Sequence, residues 1–385
     1  MATAVLTQRL AEWRRVFSQA AGPLSASWQR TPTVFMHGEA LVKGRLTLAD
    51  VAPLVDSGQM PAGCAALSGG SYASRGGSWT SAPLKGPLAE VLPAATVYAN
   101  NAGMYMPALA ELCIAGVETF GWPITCNAYL SAPGLQVSVP PHTDRQDVLV
   151  LQTTGRKRWK VYAPPAVEKG LDPLRRGKDG DEFLWDVLGD PLLDVTLMPG
   201  DGLYVPLGFP HATTTAFEDA SPEPSVHVTL NVDSLIWGLS YRLLWAAAVR
   251  QSRLAAGRED RAEEAGTAMN ADGLGWQQYA SLQAPLNFGF METSSGDDAL
   301  GEMTGDLRRR AEAWGAHDEI SEEGVRAAMG MLRRHKDELL QLHRQMYMDV
   351  LLDLTDLSPM EKEMGHWQLL QEQMAKLRCD MGWEE

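Results

Sequence analysis

The stretch "VSVPPHTDRQDVLVLQTTGRKRWKVYAPP", residues 137–165, holds a His-x-Asp pair, an apolar run and a lysine set between tryptophan and valine. Read outward from it, the chain continues in short β-like runs: "TCNAYLSA" before it, then "DVTLMPG", "DGLYVPLG", "HATTTAF" and "SVHVTLNVD" after it. Many short strands punctuated by Gly and Pro turns predict a sandwich or a barrel. Helical patterns precede them at about 4–18, 47–56 and 106–118.

His142 and Asp144 are separated by one residue. On a strand, positions i and i+2 point to one face, so both side chains can meet one cation. The best third ligand is His211, in "PGDGLYVPLGFPHATTT" (199–215), which follows a strand and a Pro-Gly turn. Two imidazoles and one carboxylate leave coordination positions open and suit Fe(II), as in non-haem oxygenases. Each part has a bland alternative, since HxD pairs arise by chance and a histidine after a proline is commonly a turn or core residue. Together, each bounded by strand signals, the two segments argue for a site where either alone would not. A zinc- or manganese-type isomerase site fits less well, because "HTDRQD" lacks a cleanly placed extra glutamate and histidine.

If "RKRWKVY" is a strand, Lys157 shares a face with Trp159 and Val161 while Arg156, Arg158 and Lys160 take the other. A lysine on an apolar face is costly unless an anion meets it; the alternative is a hairpin lysine snorkelling past the tryptophan. In "SVHVTLNVD", His227, Thr229 and Asn231 share a polar face that either lines a pocket or meets water. His37 stands isolated, and His317, His335, His343 and His366 lie in a charged helical region where solvated faces are expected.

The 385 residues carry a formal net charge of −15, which argues against phosphate-driven nucleic-acid binding and suits a basic protein partner. Cysteines 64, 113, 126 and 379 show no CxxC or regular spacing and read as reduced, intracellular thiols. The opening "MATAVLTQRLAEWRRVFSQA" reads as an amphipathic helix, not a targeting peptide, and no run of 18 apolar residues predicts a membrane span. The pattern turns helical near residue 235. "LIWGLSYRLLWAAAVRQSRLAA" has helical apolar spacing, 284–305 reads as a linker or loop, and helices are expected at 321–353 and 359–379. Ser358, Pro359 and Glu361 form a capping-box pattern at the start of the last.

"NAYLSAPG…PPHTDRQDVLVLQTTGRKRWKVYAPP", "LMPGDGLYVPLGFPHATTT" and "SVHVTLNVDSLIWG" resemble the cupin-4 branch of the JmjC oxygenases, the ribosomal oxygenases. "VYANNAGMYMPALAEL" is similar to the segment that leads into their barrel, and the resemblance covers roughly residues 25–245. It implies an α+β fold: a double-stranded β-helix (cupin, jelly-roll) barrel with N-terminal helices and a C-terminal all-helical region. The implied division is an N-terminal segment 1–100, a catalytic core 101–235 and a helical region 236–385. It implies an Fe(II)- and 2-oxoglutarate-dependent dioxygenase, using O2, that hydroxylates histidine or arginine of a ribosomal protein. His142, Asp144 and His211 match the iron ligands, Lys157 the partner of the distal carboxylate of 2-oxoglutarate, and Asn127 and Tyr129 positions facing cosubstrate or substrate. A homodimer is implied, with no membrane and no direct nucleic-acid contact. The expected place is intracellular and cytoplasmic, nuclear or nucleolar if the source is eukaryotic.

Two departures stand out: Arg145 follows the HxD where an acidic residue is common, and the tail shows no β-wing pattern for the winged helix of the family. The competing functions are a methyl-lysine demethylase, a hydroxylase of a small molecule or RNA base, and a cupin-fold binding protein without turnover.

Overall fold

The strands arise where β-branched and aliphatic residues recur at every second position, and the register between them decides which side chains meet. The structure is a computed structural model describing residues 2–66, 80–164, 188–219, 223–258, 286, 297–312, 319–353 and 356–380. Its strands are β1 (Thr33–Met36), β2 (Gly63–Ala66), β3 (Thr80–Pro83), β4 (Thr96–Ala99), β5 (Ile124–Ser131), β6 (Val139–His142), β7 (Asp147–Thr154), β8 (Lys157–Val161), β9 (Leu193–Leu197), β10 (Gly202–Val205), β11 (His211–Thr214) and β12 (Ser225–Val232). They form one sheet of order β1-β10-β7-β12-β5-β4-β2-β3 and a second of order β6-β11-β8-β9. From β5 onward the chain passes back and forth between the two sheets. Val148, Val150, Trp159, Val161, Leu197, Leu203 and Val205 pack together from both, so the sheets close face to face. This is the double-stranded β-helix that the resemblance implies.

The period of two sorts β12 and β5 into two working faces. Val226, Val228, Leu230 and Val232, with Cys126, Ala128 and Leu130, point outward into the main core. Each such buried aliphatic side chain contributes about 1.5–3 kcal/mol. His227, Thr229 and Asn231 point inward, in register with Tyr129, Asn127 and Thr125. The described helices are α1 (Ala2–Ser27), α2 (Leu48–Asp56), α3 (Leu88–Val91), α4 (Pro107–Phe120), α5 (Tyr241–Ala255), α6 (Asp297–Ala311), α7 (Glu322–Leu352) and α8 (Pro359–Asp380). Residues from Leu10 to Leu377 share this one core, so both helical ends of the chain pack on the same sheet. None of the helices is long and apolar enough to cross a membrane.

Several local expectations need correction. Residues 297–305, read as part of a linker, belong to α6, because Leu300, Leu307 and Ala311 are buried against the core. That packing outweighs the cost of Gly301 and Gly305, about 1 kcal/mol each. Residues 284–285 and 287–296 of that stretch lie outside the described residues. α1 runs well beyond residue 18, through Pro23, since Ala20 and Leu24 continue its buried face. The helix expected from 235 starts at Tyr241, after Gly238 takes a left-handed φ of 74° and Ser240 accepts the Leu243 N–H. The capping box at the head of α8 is present: Ser358 N–H donates to Glu361 Oε2 at 2.8 Å and Glu361 N–H to Ser358 Oγ at 3.3 Å.

The expected solvation of His335 and His343 is wrong. Both are buried on the inner face of α7. His335 Nε2 donates to the Trp237 carbonyl at 2.8 Å and its Nδ1 accepts from Gln373 at 3.2 Å. Burial pushes His343 down to about 4, so it is neutral at ordinary pH. His317 lies outside the described residues.

Gly155 turns the chain from β7 into β8 with φ of 60°, and a Cβ there would fall on the Pro224 carbonyl. Gly155→Ala is expected to cost about 1–3 kcal/mol by imposing a left-handed conformation and a backbone clash. Urea unfolding measures this, and an unchanged midpoint would show that the turn is not constrained.

Candidate metal centre

Antiparallel pairing of β6 with β11 sets His142 directly opposite His211. Their rings lie 4.2 Å apart between centroids. Each ring is held by the carbonyl two residues upstream: His142 Nδ1 lies 2.8 Å from Pro140 O, and His211 Nδ1 lies 3.1 Å from Phe209 O. Nδ1–H donates in both cases, which leaves the Nε2 lone pairs to face the cleft, the orientation a metal ligand needs. Asp144 Oδ2 stands 3.9 Å from His142 Nε2 and 3.6 Å from His211 Nε2.

The donor atoms of the three residues all lie within 4.8 Å of one another. Donors ~2.1 Å from one cation and at right angles sit ~3 Å apart, so a small inward adjustment lets all three reach one ion. One sequence expectation changes in detail. β6 ends at His142, and Asp144 sits in the turn that follows, not on the strand. The turn returns the carboxylate toward the imidazoles and leaves its side chain 19 % exposed, while the histidines are almost fully covered.

Lys157 occupies the floor of the same small cleft, whose lining includes Tyr129, Thr213, His227, Thr229 and the three metal-type residues. It is fully buried, so the snorkelling alternative does not hold. Its Nζ donates to Ser131 Oγ at 2.7 Å, and among the described residues no carboxylate pairs with it. Ser131 Oγ in turn meets Thr96 Oγ1 at 2.8 Å, and Thr96 donates to the Ser138 carbonyl. Because Thr96 spends its proton there, Ser131 donates to Thr96, and its oxygen accepts from the lysine. Burial lowers the Lys157 ammonium to about 7.

Tyr129 stacks face to face on His227 at 4.9 Å, and Trp159 meets His227 edge-on at 5.4 Å. His227 is buried, its Nδ1 has no hydrogen-bond partner among the described residues, and burial, Lys157 and His211 hold its pKa well below the usual imidazole range. Its strand face, left open in the sequence, lines the cleft. Asn127 lies farther out, in a second cavity of about 830 Å³ bordered also by Thr125, Asn231 and Asp233, and accepts from the Asn101 N–H at 3.1 Å. Tyr129 and Asp144 border both spaces.

Sequence reasoning missed Ser131 and Asp233. Ser131 was legible only as the inward position next after Asn127 and Tyr129 on β5. Asp233, just past β12, accepts from Thr125 and Gln146, and burial raises it to about 7.

The folded pKa of Lys157 lies below its ordinary 10.5, so the folded state carries the full cost of the charge below pH 7. The cost is relieved as pH rises from about 7 to about 10.5. Lys157→Met removes it, and this variant should melt several degrees above the parent at pH 6–7 and converge with it toward pH 10. A melting temperature lowered equally at both pH values would mean that the ammonium is stabilised by partners it already has.

A comparison with known families matches residues 109–234 to the JmjC domain. Over 132 residues, 34% of the chain, it is 38% identical to the "Bifunctional lysine-specific demethylase and histidyl-hydroxylase NO66" of Drosophila mojavensis and 36% identical to that of Drosophila melanogaster. The match spans 14% and 19% of those proteins. Among solved structures, Escherichia coli ycfD is similar at 18% identity, with a TM-score of 0.42 over 80% of this chain and 70% of that one. Its complex with cobalt and 2-oxoglutarate gives 18% identity and a TM-score of 0.38 over 76% and 66%. Residues 109–234, the stretch that is similar to the JmjC domain, include β6 and β11, the strands that bring His142 and His211 together beside Asp144.

Proposed function

We propose that this chain is an Fe(II)- and 2-oxoglutarate-dependent dioxygenase that hydroxylates a protein side chain, histidine or arginine of a ribosomal protein. The observation that carries the reading is the burial of a lysine amine, without a carboxylate partner among the described residues, in the same cleft as a two-imidazole, one-carboxylate cluster. Among common metabolite-sized partners, a metal-chelating diacid answers both features at once: one end meets the cation and the other the lysine.

His142, Asp144 and His211 would hold the iron and leave its remaining positions open. When bound, iron, 2-oxoglutarate and dioxygen supply the oxidising chemistry: the cosubstrate leaves as succinate and carbon dioxide, and one oxygen atom enters a substrate C–H bond. Lys157 would hold the distal carboxylate through a charge-assisted hydrogen bond, with Ser131 fixing the direction of the Nζ. Tyr129 and His227 would wall the cosubstrate off from the outer cavity, and Asn127 would face the substrate. The inner cleft has a volume of about 20 Å³, so a diacid would enter by displacing side chains such as Tyr129, which also borders the larger space.

The division at 1–100, 101–235 and 236–385 belongs to the same proposal. So do an intracellular place and a homodimer through the helical third, where Leu352, Leu357 and Met360 are exposed. A second reading, removal of a methyl group from lysine, is favoured by the two activities in the name of the Drosophila relatives. Mass spectrometry separates them, since hydroxylation adds one oxygen and demethylation removes one methyl group.

Substrate-dependent succinate formation should vanish in His142→Ala and Asp144→Ala, and full turnover in either would end the ligand assignment. Lys157→Ala should raise the KM for 2-oxoglutarate about 10- to 100-fold, with partial recovery in Lys157→Arg. In the parent enzyme the KM should stay flat below pH 7 and rise about tenfold per pH unit above it, because binding must then recharge the amine. A flat profile to pH 9 would contradict the lysine role.

A further inference from the structure

We propose that α8, the last helix of the chain, reads the substrate: Trp367 and Met364, with Ile236, form an apolar subsite for a residue flanking the one oxidised. The proposal rests on the dioxygenase reading and deepens it, and it commits to a polypeptide segment as the occupant.

Continuity with the metal centre identifies that occupant. Tyr129 and Asp144 border both the inner cleft and the 830 Å³ cavity, so a molecule presenting a C–H bond to the metal lies in the larger space. That volume is near the top of the range for small-ligand sites. Its two walls differ in chemistry. One is a polar ladder built by register, with Asn127, Asn231 and Thr125 on β5 and β12, which can pair with the amides of an extended chain. The other is α8 with Ile236 and Trp237.

α8 is anchored by buried Leu370 and Leu377, but its cavity-facing stretch departs from the ordinary pattern of a packed helix. Lys362 is buried and pairs with Asp353 at 2.8 Å, while Met364, Trp367 and Ile236 are 67%, 51% and 42% exposed. Large apolar groups left in water at the rim of a cavity mark an interaction surface. The helix is also fixed in place before any ligand arrives. Glu363 accepts from Asn101 Nδ2 at 2.6 Å and from the Tyr105 hydroxyl. His366 pairs with Asp349 at 3.0 Å, and Trp367 sets its ring edge-on to Trp237 at 5.4 Å. A wall already ordered binds with little further loss of freedom.

The test uses the full-length, iron-loaded protein and a pool of short peptides with a central histidine or arginine and randomised neighbours. Oxidised members are identified by mass spectrometry, and each protein is scored by its own ratio of apolar to polar neighbours. The parent should enrich Leu, Met, Phe or Trp at one fixed neighbouring position about tenfold or more. Trp367→Ser should bring that ratio close to one. Met364→Glu, at a side chain too exposed to threaten folding, should shift the preference at the same position toward Lys and Arg. The proposal is overturned by a parent without neighbour preference, by a preference unchanged in both variants, or by a parent that consumes 2-oxoglutarate yet oxidises no peptide. A parent that consumes no 2-oxoglutarate under any condition sinks the dioxygenase reading itself, and this inference with it.

Discussion

Burying a lysine between two sheets without a carboxylate partner is costly. Lys157 is wholly buried between two β-sheets, with one serine hydroxyl as its hydrogen-bond partner and no carboxylate to meet its charge among the described residues. Evolutionary drift toward stability would replace such a group with methionine or leucine. On the proposed reading its counter-charge is an anion from outside. The surroundings suit such a ligand: Gly155 turns the chain into β8, Ser131 accepts from the amine, and the imidazoles across the cleft would offer a cation to the ligand's other end.

The fold turns strand register into chemistry. Neither histidine of the cluster is near the other in sequence, and the β6–β11 pairing alone sets them face to face. Backbone carbonyls then fix both rings in the tautomer that presents Nε2. The outer face of the eight-stranded sheet is committed to the aliphatic core shared with α1, α4, α5 and α7. A one-residue slip of β12 would send Val226, Val228 and Leu230 into the cleft and His227 and Thr229 into the core, so stability and site geometry are enforced by one alternation.

Much of this was legible in the sequence because period-two patterns and spaced motifs are local. The His-x-Asp pair, the later histidine and the apolar face of Lys157 could all be read from residues 137–215. The misreadings were of long-range origin. Gly301 and Gly305 signalled a loop, yet burial of Leu300 and Leu307 holds them in a helix. His335 and His343 sat among charges in the sequence, but α7 turns them inward against Trp237 and α8. His227 stayed ambiguous because alternation tells which residues share a face without telling what that face meets. Nothing local indicated that α8 would cross back to border a cavity beside Asn127 and Asp233.

The most direct measurement is a crystal structure of the protein grown anaerobically with manganese and 2-oxoglutarate. One metal ion is expected, bound by His142 Nε2, Asp144 and His211 Nε2, with the distal carboxylate of the diacid against the Lys157 ammonium. A metal held elsewhere, or a diacid whose far end lies away from Lys157, would contradict that expectation.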